Sequence, residues 1–241
     1  MNLIAFQQAF RNSGVIELHE VQKAFPNFHV RRLSDWQEKD YIQKIINRFY
    51  RWTDQPVTEQ SAFYTANRIY RDSYISLWSA LSHYGLIPEG VYRTYSVSTQ
   101  KTKSFETPLG EMIYKHVKPA LFFGYRIERW ENKPILIAEP EKAILDTLYL
   151  NPQWRDRADI DGLRLNWSVL ADIAQTAIIE EYAALYGDQR VTALSQYIIQ
   201  QMTMLSLPSI QTSFPSHVQQ AKRFMLREYL QCRILEILFN Q

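Results

Sequence analysis

Carboxylates are the residues of this chain whose spacing could support catalysis. Asp159 and Asp161 are one residue apart, and a strand would aim both carboxylates at a magnesium ion, as in nucleotidyltransferases. The pair lies in a polar connector, however, and the chain has no Gly-Ser dipeptide with which such enzymes hold nucleotide phosphates. We therefore expect a solvated loop here rather than a magnesium site.

A second acidic group consists of Glu139, Glu141 and Asp146. General acid–base catalysis needs carboxylates in unlike environments. Glu141 follows Pro140 where a helix is expected to begin, so the helix dipole favours its charge. Asp146 is spaced to pair with Lys142 one turn earlier. These ordinary roles account for the residues, and we predict no catalytic residue and no enzymatic activity.

The remaining motifs do not indicate a metal or a cofactor. Cys232 is the only cysteine, which excludes an internal disulfide and a multi-thiolate metal site. The seven glycines form neither a Gly-x-Gly-x-x-Gly motif nor a phosphate-binding loop. The five histidines have no metal-binding spacing; they are His19, His29, His83, His116 and His217. We predict neither a metal nor a cofactor.

Charge is unevenly distributed, although the net charge is only +2. Residues 22–51 contain seven bases and three acids, and residues 92–133 contain eight bases and four acids, so each region has a net charge of +4. Residues 139–190 have a net charge of −5. This distribution is compatible with a basic face that binds phosphates and an acidic body that faces elsewhere.

Length and composition predict a chain of two domains. With 241 residues and 46% hydrophobic content, it can bury a sizeable core. The first eight residues do not resemble a signal peptide, and no segment reaches the roughly 18–20 apolar residues that span a bilayer. We expect a cytoplasmic protein without membrane contact, with a small domain over residues 1–54 and a body domain over residues 55–241.

The first domain is expected to contain three short helices followed by a β-hairpin. Apolar residues recur at helical spacing in residues 3–10 and 17–25, and Pro26 ends the second helix. Residues 41–45 and 49–52 are β-prone runs joined by a turn. This order of elements is the layout of a winged helix-turn-helix domain.

The third helix is predicted over residues 28–39. Asn27 is its expected N-cap, and Val30, Leu33 and Trp36 share the face that would pack inward. The outward face would carry His29, Arg31, Arg32 and Asp35.

The body domain is predicted to be mixed α/β with a mainly helical C-terminal part, so the fold class is α+β. A small sheet is expected over residues about 92–137, and helices are expected over residues about 59–85, 139–150 and 168–239. In the first helical region, Ser73 is the expected cap of a helix that carries Tyr74 and Trp78 and ends at Gly85.

Several segments resemble the AbiEi-type antitoxins of bacterial type IV toxin–antitoxin operons. The ordered matches are Ile75–Leu81, Tyr84–Glu89, Val97–Phe105, Gly110, Leu121–Tyr125 and Ile137–Asp146. The N-terminal region is similar to the family's winged helix through Asn27–Leu33 and Trp36–Lys39. Two departures are Asn47-Arg48, where the family usually has Arg-Gly in the wing turn, and Glu139, where it more often has a small residue. Asn tolerates a left-handed conformation, so we expect that a turn can still form at Asn47-Arg48.

The resemblance implies a repressor that binds inverted repeats in the promoter of its own operon and counteracts a nucleotidyltransferase toxin encoded beside it. Stable contact with the toxin is not required in this mode. The third helix would enter the major groove and the hairpin would contact the DNA backbone. The DNA-binding residues predicted on this basis are Asn27, His29, Arg31, Arg32, Lys44, Arg48 and Arg51. A further basic surface on the body domain would comprise Arg93, Lys101, Lys103, Lys115 and Lys118.

Two other interpretations remain open at this point. The winged helix could serve only as a protein–protein adaptor without DNA. Alternatively, the protein could be an enzyme that uses the carboxylates from Glu139 to Asp146, or the pair Asp159 and Asp161, with magnesium or a nucleotide.

Overall fold

The computed structural model describes residues 2–206 of the chain. The N-terminal elements are α1 (Leu3–Phe10), β1 (Ile16–Glu17), α2 (Leu18–Ala24), α3 (Arg31–Glu38), β2 (Ile42–Ile46) and β3 (Phe49–Trp52). The strands form an antiparallel sheet of order β1-β3-β2. The short strand β1, which the sequence pattern did not indicate, adds a third strand to the predicted hairpin.

An aromatic core holds these elements together. The ring of Phe6 in α1 lies 4.5 Å from that of Trp36 in α3 and 5.5 Å from that of Trp52 in β3, measured between centroids. Phe28 stacks on Phe6 at 6.1 Å. Trp52 Nε1 donates a hydrogen bond to the carbonyl of Phe10 at 3.0 Å. Burial of these large rings fixes α3 relative to the hairpin.

The predicted start of the third helix is wrong. α3 begins at Arg31 with Val30 in the N-cap position, rather than at Phe28 with Asn27 as the cap. Phe28 is 8% exposed and Val30 is 44% exposed, so Phe28 occupies the core position that was expected for Val30. The larger ring buries more apolar surface, which favours a turn before the helix that directs Phe28 inward.

The rest of the described chain forms the body. Its elements are α4 (Glu59–Ile69), β4 (Ser73–Ile75), α5 (Leu77–His83), β5 (Thr94–Ser98), β6 (Lys103–Thr107), β7 (Gly110–His116), β8 (Tyr125–Trp130), β9 (Lys133–Ala138), α6 (Pro140–Leu150), α7 (Arg157–Asp161), α8 (Trp167–Ile173), α9 (Thr176–Tyr186) and α10 (Gln189–Ser206). The described residues therefore confirm the predicted α+β class.

The six body strands form one mixed sheet in the order β6-β7-β5-β4-β9-β8. Strand β4 is central; it pairs antiparallel with β5 and parallel with β9 through Ile75 and Ile137. Tyr114 of β7 donates a hydrogen bond to the carbonyl of Ala66 in α4 at 2.8 Å. By register, Tyr74 of β4 points to the opposite face, where it meets α6. Helices therefore cover both faces of the sheet.

The helix predicted from Ser73 is wrong in its first turn. Ser73–Ile75 form the central strand β4, and α5 begins only at Leu77. A three-residue strand buried on both faces has no polar alternation, so its apolar residues also fit a helical period. Gly85 ends the helix as predicted, with a φ of +67°, and the amide of Leu86 donates to the carbonyl of Leu81 at 2.8 Å.

The C-terminal helices are divided more finely than the sequence indicated. Within the predicted helical region of residues 168–239, the described part contains α8, α9 and α10, and α7 before it was not predicted. The rest of that predicted helical region, from residue 207 to residue 239, lies outside the described residues, as does Cys232. Within residues 2–206, none of the helices combines the length and the apolar character needed to cross a lipid bilayer.

Ion pairs connect the N-terminal segment to α4. Arg68 of α4 donates to Glu20 at 2.5 Å and to Glu17 at 3.2 Å. Arg71 lies 3.5 Å from the same Glu17 carboxylate, whose side chain is only 12% exposed. Partial shielding from solvent strengthens these contacts relative to open surface pairs. They fix β1 and α2 against the body.

Candidate nucleic-acid interface

Helix α3 has one buried face and one exposed face. Leu33 and Trp36 are buried, as predicted. Arg31 and Asp35 are exposed, and Arg32 is half-buried. The two arginines therefore lie at the surface of a helix that the aromatic core holds in place, which is how recognition helices present basic side chains to DNA.

The first turn of α3 is electrostatically unfavourable by itself. Val30 occupies the N-cap, and Arg31 and Arg32 follow it, so the turn holds two bases and no acid. Positive charge at a helix N-terminus opposes the helix dipole, at a cost of about 0.3–1 kcal/mol per exposed charge. A phosphate bound here would be attracted by the arginines and by the helix start alike. The exposed side chain of His29 precedes this turn.

The β2–β3 hairpin supplies two further exposed bases beside α3. Lys44 lies on β2 and Arg48 lies in the turn. Arg48 has a φ of +73°, a left-handed conformation that costs a non-glycine residue about 1–2 kcal/mol. Its carbonyl accepts a hydrogen bond from the amide of Leu18 at 2.8 Å, which holds the turn. The turn therefore forms, as expected, and its left-handed residue is Arg48.

The prediction that Arg51 contacts the DNA backbone is wrong. Its side chain is buried at 8% exposure, and Nη1 donates to Gln43 Oε1 at 3.2 Å. The guanidinium also donates to the carbonyl of Gln55, at the point where the chain leaves β3. Burial lowers the pKa of Arg51, while nearby Asp54 acts in the opposite direction. Arg51 therefore holds the hairpin to the following segment.

Another predicted residue, Asn27, is exposed in the turn before α3. The structure thus brings six of the predicted DNA-binding residues to one helix-and-hairpin region, as exposed or half-buried side chains: Asn27, His29, Arg31, Arg32, Lys44 and Arg48. The seventh, Arg51, is buried and does not belong to this surface.

The basic residues predicted on the body do not form one surface. Lys103 pairs with Tyr114 across β6 and β7, and Lys115 follows Tyr114, so the two lysines project from opposite faces of the sheet. Arg93 pairs with Glu111 at 2.7 Å. The two remaining bases of the set, Lys101 and Lys118, are exposed.

The carboxylate of Asp146 is enclosed within the fold. Its side chain is completely buried and accepts hydrogen bonds on both oxygens. Oδ2 accepts from Tyr74 at 2.9 Å and from Ser76 at 2.8 Å. Oδ1 accepts from Tyr186 at 2.7 Å and from Lys142. Four donors occupy the acceptor sites of this carboxylate, so its role is to join β4, α6 and α9.

Lys142 is equally buried and is surrounded by aromatic rings. Its Nζ donates to the hydroxyl of Tyr186 at 2.6 Å and lies 4.8 Å from the ring centroids of Tyr186 and Phe123. Burial lowers the pKa of Lys142 below its ordinary value, and the neighbouring Asp146 offsets only part of this shift. The pair therefore has the predicted i,i+4 spacing but belongs to the core.

The other two carboxylates of this group also bind within the protein. Glu139 Oε2 accepts from the hydroxyl of Tyr182 at 2.8 Å, and burial together with this carboxylate raises the pKa of Tyr182 to about 12. Glu141 is 4% exposed, and its Oε1 accepts from the amide of Gln175 at 2.8 Å, where α9 begins. Both carboxylates therefore hold α6 against α9.

The prediction of a loop at Asp159 and Asp161 is wrong, because both lie on α7. Asp159 accepts from the amides of Arg155 at 2.6 Å and Asp156 at 3.1 Å, and Asp161 accepts from the hydroxyl of Tyr197 at 2.8 Å. Residues two apart on a helix point about 200° apart, so the carboxylates do not converge. Across residues 2–206, no three His, Cys, Asp or Glu side chains are grouped to hold a metal ion.

Sequence reasoning missed the partners of Asp146. Ser76 and Tyr186 are 70 and 40 residues away along the chain. No local spacing points to such contacts, since β4 and α9 are brought to α6 only by the folded sheet. The one available signal was Tyr186 at the end of the apolar helix α9, because a buried tyrosine hydroxyl usually needs a hydrogen-bond partner.

Comparisons of the chain with protein-family models and with curated proteins find no match. Function is therefore inferred from the geometry of α3 and the hairpin, together with the resemblance of the sequence motifs.

Proposed function

We propose that this protein is a DNA-binding repressor of its own operon, in which residues 1–54 act as a winged helix-turn-helix domain. The observation that carries the proposal is the exposed face of α3, where Arg31 and Arg32 occupy the first turn of an anchored helix. Beside this helix, the β2–β3 hairpin presents Lys44 and Arg48 as a wing. α3 would enter the major groove while the wing contacts the backbone.

The proposed contacts with DNA are of two kinds, contacts with bases and contacts with phosphates. Arginine recognises guanine through two parallel hydrogen bonds, so Arg31 and Arg32 are the candidates for reading bases. The start of α3 and the exposed His29 suit a phosphate, and Lys44 and Arg48 suit phosphates on the flanking backbone. Inverted repeats in the promoter would place one α3 on each half-site.

We further propose that the protein is an antitoxin that counteracts a nucleotidyltransferase toxin encoded beside it. Its support is the resemblance of body-domain motifs to AbiEi-type antitoxins, above all Ile137–Asp146. This segment forms β9's last residues and the start of α6, including the buried Lys142–Asp146 pair. Both activities would take place in the cytoplasm and would need neither cofactor nor metal.

The repressor activity is tested by a mobility-shift assay on the DNA upstream of the gene. At moderate salt, we expect preference for this DNA over a scrambled duplex of the same length and composition. The logarithm of the affinity should fall linearly with the logarithm of salt concentration, because phosphate contacts release counterions. Equal affinity for both duplexes would contradict the proposal.

The antitoxin activity is tested separately by co-expression with the neighbouring reading frame. If that frame encodes a toxic chain with a Gly-Ser followed by Asp-x-Asp, the full-length protein should restore growth. A variant carrying Arg31→Ala and Arg32→Ala, expressed from an unrelated promoter, should still restore growth while failing to repress. Loss of growth with the full-length protein present would refute the antitoxin role and leave the repressor role standing.

A further inference from the structure

An open groove on the body lies between α5, the segment from Ile87 to Tyr95, and α7, and it has a volume of about 870 Å³. Its lining includes four aromatic residues, Trp78, Tyr92, Tyr95 and Trp154. Trp78 and Trp154 meet edge to face, with centroids 5.9 Å apart and planes at 80°. Tyr92 is 95% exposed at the rim. The volume lies in the range of sites that hold small organic ligands.

The charged groups along the groove already have partners. Glu89 forms an ion pair with Arg164. Asp159 accepts hydrogen bonds from two backbone amides at the start of α7. Arg93 donates from Nε to Glu111 at 2.7 Å, and its side chain is 59% exposed. Tyr95 is a second hydrogen-bond partner of Arg93. Because a guanidinium carries five N–H donors, Arg93 keeps donors with which it can bind an anion at the rim. A ligand with a flat, uncharged body and one anionic group suits this lining.

We propose that the groove binds an unpaired nucleotide, with its base against the rings of Trp78, Trp154 and Tyr92 and its phosphate at Arg93. Aromatic side chains bind unpaired bases by stacking, which every base permits because every base has a π face. Bases in a duplex are stacked on one another and do not enter such a groove. This site is formed by residues other than those of α3 and the hairpin, and it goes beyond the proposed repression of an operon.

Gly90 provides a position at the groove where a large side chain can be added without disturbing the fold. It lines the groove, and a Cβ placed on it meets no described atom within 4 Å. Gly90→Leu therefore adds a side chain to open space. Tyr92→Ala removes a ring that is almost fully exposed, so it should leave stability unchanged. Ala184→Leu, at an exposed position of α9, is the matched control.

The test measures fluorescence anisotropy of two probes with the full chain: a labelled single-stranded oligouridylate and a fluorescent adenosine monophosphate. Stacking contributions predict that Tyr92→Ala weakens binding of the strand by about 5- to 150-fold. Gly90→Leu should have a loss of at least that size, and Ala184→Leu none. Binding of both probes with mutual competition identifies a site for free nucleotides, whereas binding of the strand alone identifies a site that needs the continuous backbone.

The nucleotide site and the operator site fail independently. Gly90→Leu should leave the duplex mobility shift unchanged, and Arg31→Ala with Arg32→Ala should leave binding of both probes unchanged. The proposal is overturned if the wild-type chain binds neither probe at about 1 mM. It is also overturned if binding persists in Gly90→Leu, or if an aromatic peptide occupies the groove and the nucleotides do not.

Discussion

Lys142 and Asp146 lie one turn apart on α6 and form an ion pair in which both side chains are 0% exposed. Taking two charges out of water is costly, and it is tolerated where hydrogen bonds satisfy the remaining sites. Tyr74 and Ser76 supply such bonds from β4 and its end, and Tyr186 supplies them from the end of α9. The pair thus links the central strand to the helices that cover it.

Asp146→Asn is expected to lower the free energy of unfolding by about 3–5 kcal/mol, because the buried ammonium of Lys142 loses its counter-charge. Adding Lys142→Met should recover at least about 1 kcal/mol of that loss, since no uncompensated charge is left. Urea unfolding followed by tryptophan fluorescence measures both variants. A change within about 0.5 kcal/mol for Asp146→Asn alone would show that the pair has no structural role.

Alkaline pH should destabilise the protein through its buried tyrosines. Burial raises the pKa of Tyr74, Tyr114 and Tyr186 above the ordinary value of 10.0, so these hydroxyls stay protonated in the folded state while they ionise in the unfolded state. Their contribution is complete below pH 10.0 and is lost as pH rises further, by about 1.4 kcal/mol per pH unit for each tyrosine. Lys142 has the opposite effect on stability. Burial lowers its pKa, so its contribution to stability increases with pH until the pH reaches the ordinary lysine pKa of 10.5.

Tyr114→Phe isolates one of these tyrosines. The hydroxyl of Tyr114 donates to a neutral carbonyl, that of Ala66, so its removal leaves no buried charge unpaired. Urea midpoints between pH 9 and pH 11 should fall less steeply for this variant than for the wild type. Tyr92→Phe, at a side chain that is 95% exposed, should leave the slope unchanged. Identical slopes for all three chains would contradict the assignment.

Arg31 and Arg51 should respond differently to replacement by alanine, although both were predicted to bind DNA. Arg31→Ala should weaken operator binding by about 1–3 kcal/mol if it contacts a base, and it should raise stability by about 0.3–1 kcal/mol because the exposed charge opposes the helix dipole. Arg51→Ala should destabilise the N-terminal segment through the loss of its contacts with Gln43 and Gln55. Thermal unfolding and titration of operator DNA separate the two effects. Arg129→Ala, at an exposed position of β8, is the control.

Arg48→Gly should separate the stability of the wing from its charge. Glycine adopts the φ of +73° without strain, so stability should rise by about 1 kcal/mol or less after the greater entropy of glycine in the unfolded chain is included. Operator affinity should fall, with a salt slope smaller by about one, because a phosphate contact is removed. Arg48→Lys keeps the charge and should keep most of the slope. A higher affinity for Arg48→Gly would refute the backbone contact.

Apolar periodicity and capping residues correctly predicted the helices and strands whose bounds depend on neighbouring residues alone. The helix at Leu3–Phe10 follows from apolar periodicity, the strand at Phe49–Trp52 follows from its β-prone residues, and the start of α6 follows from Pro140. The start of α3 and the strand β4 did not follow, because the packing of Phe28 and the pairing of Ile75 with Ile137 depend on distant residues.

Only part of the candidate interface was predicted, because the rest also depends on contacts between distant residues. Exposure of Arg31 and Arg32 follows from the amphipathic pattern of α3, with Leu33 and Trp36 on the other face. The sequence does not tell that Arg51 is buried, because the strand alternation leaves open which side the segment after the hairpin covers. Burial of Asp146 was likewise set by tertiary contacts alone.

Strand β4 has three residues, and the strands that flank it come from residues 94–98 and 133–138. The centre of the sheet therefore cannot be assembled until the ribosome has released the chain as far as Ala138. The N-terminal segment closes its aromatic core within the first 52 residues, so it should fold earlier during synthesis. In the interval between these events, the edge of β4 that will pair with β9 is open to pairing with other nascent chains, which makes the period before β9 emerges the one most exposed to misassembly.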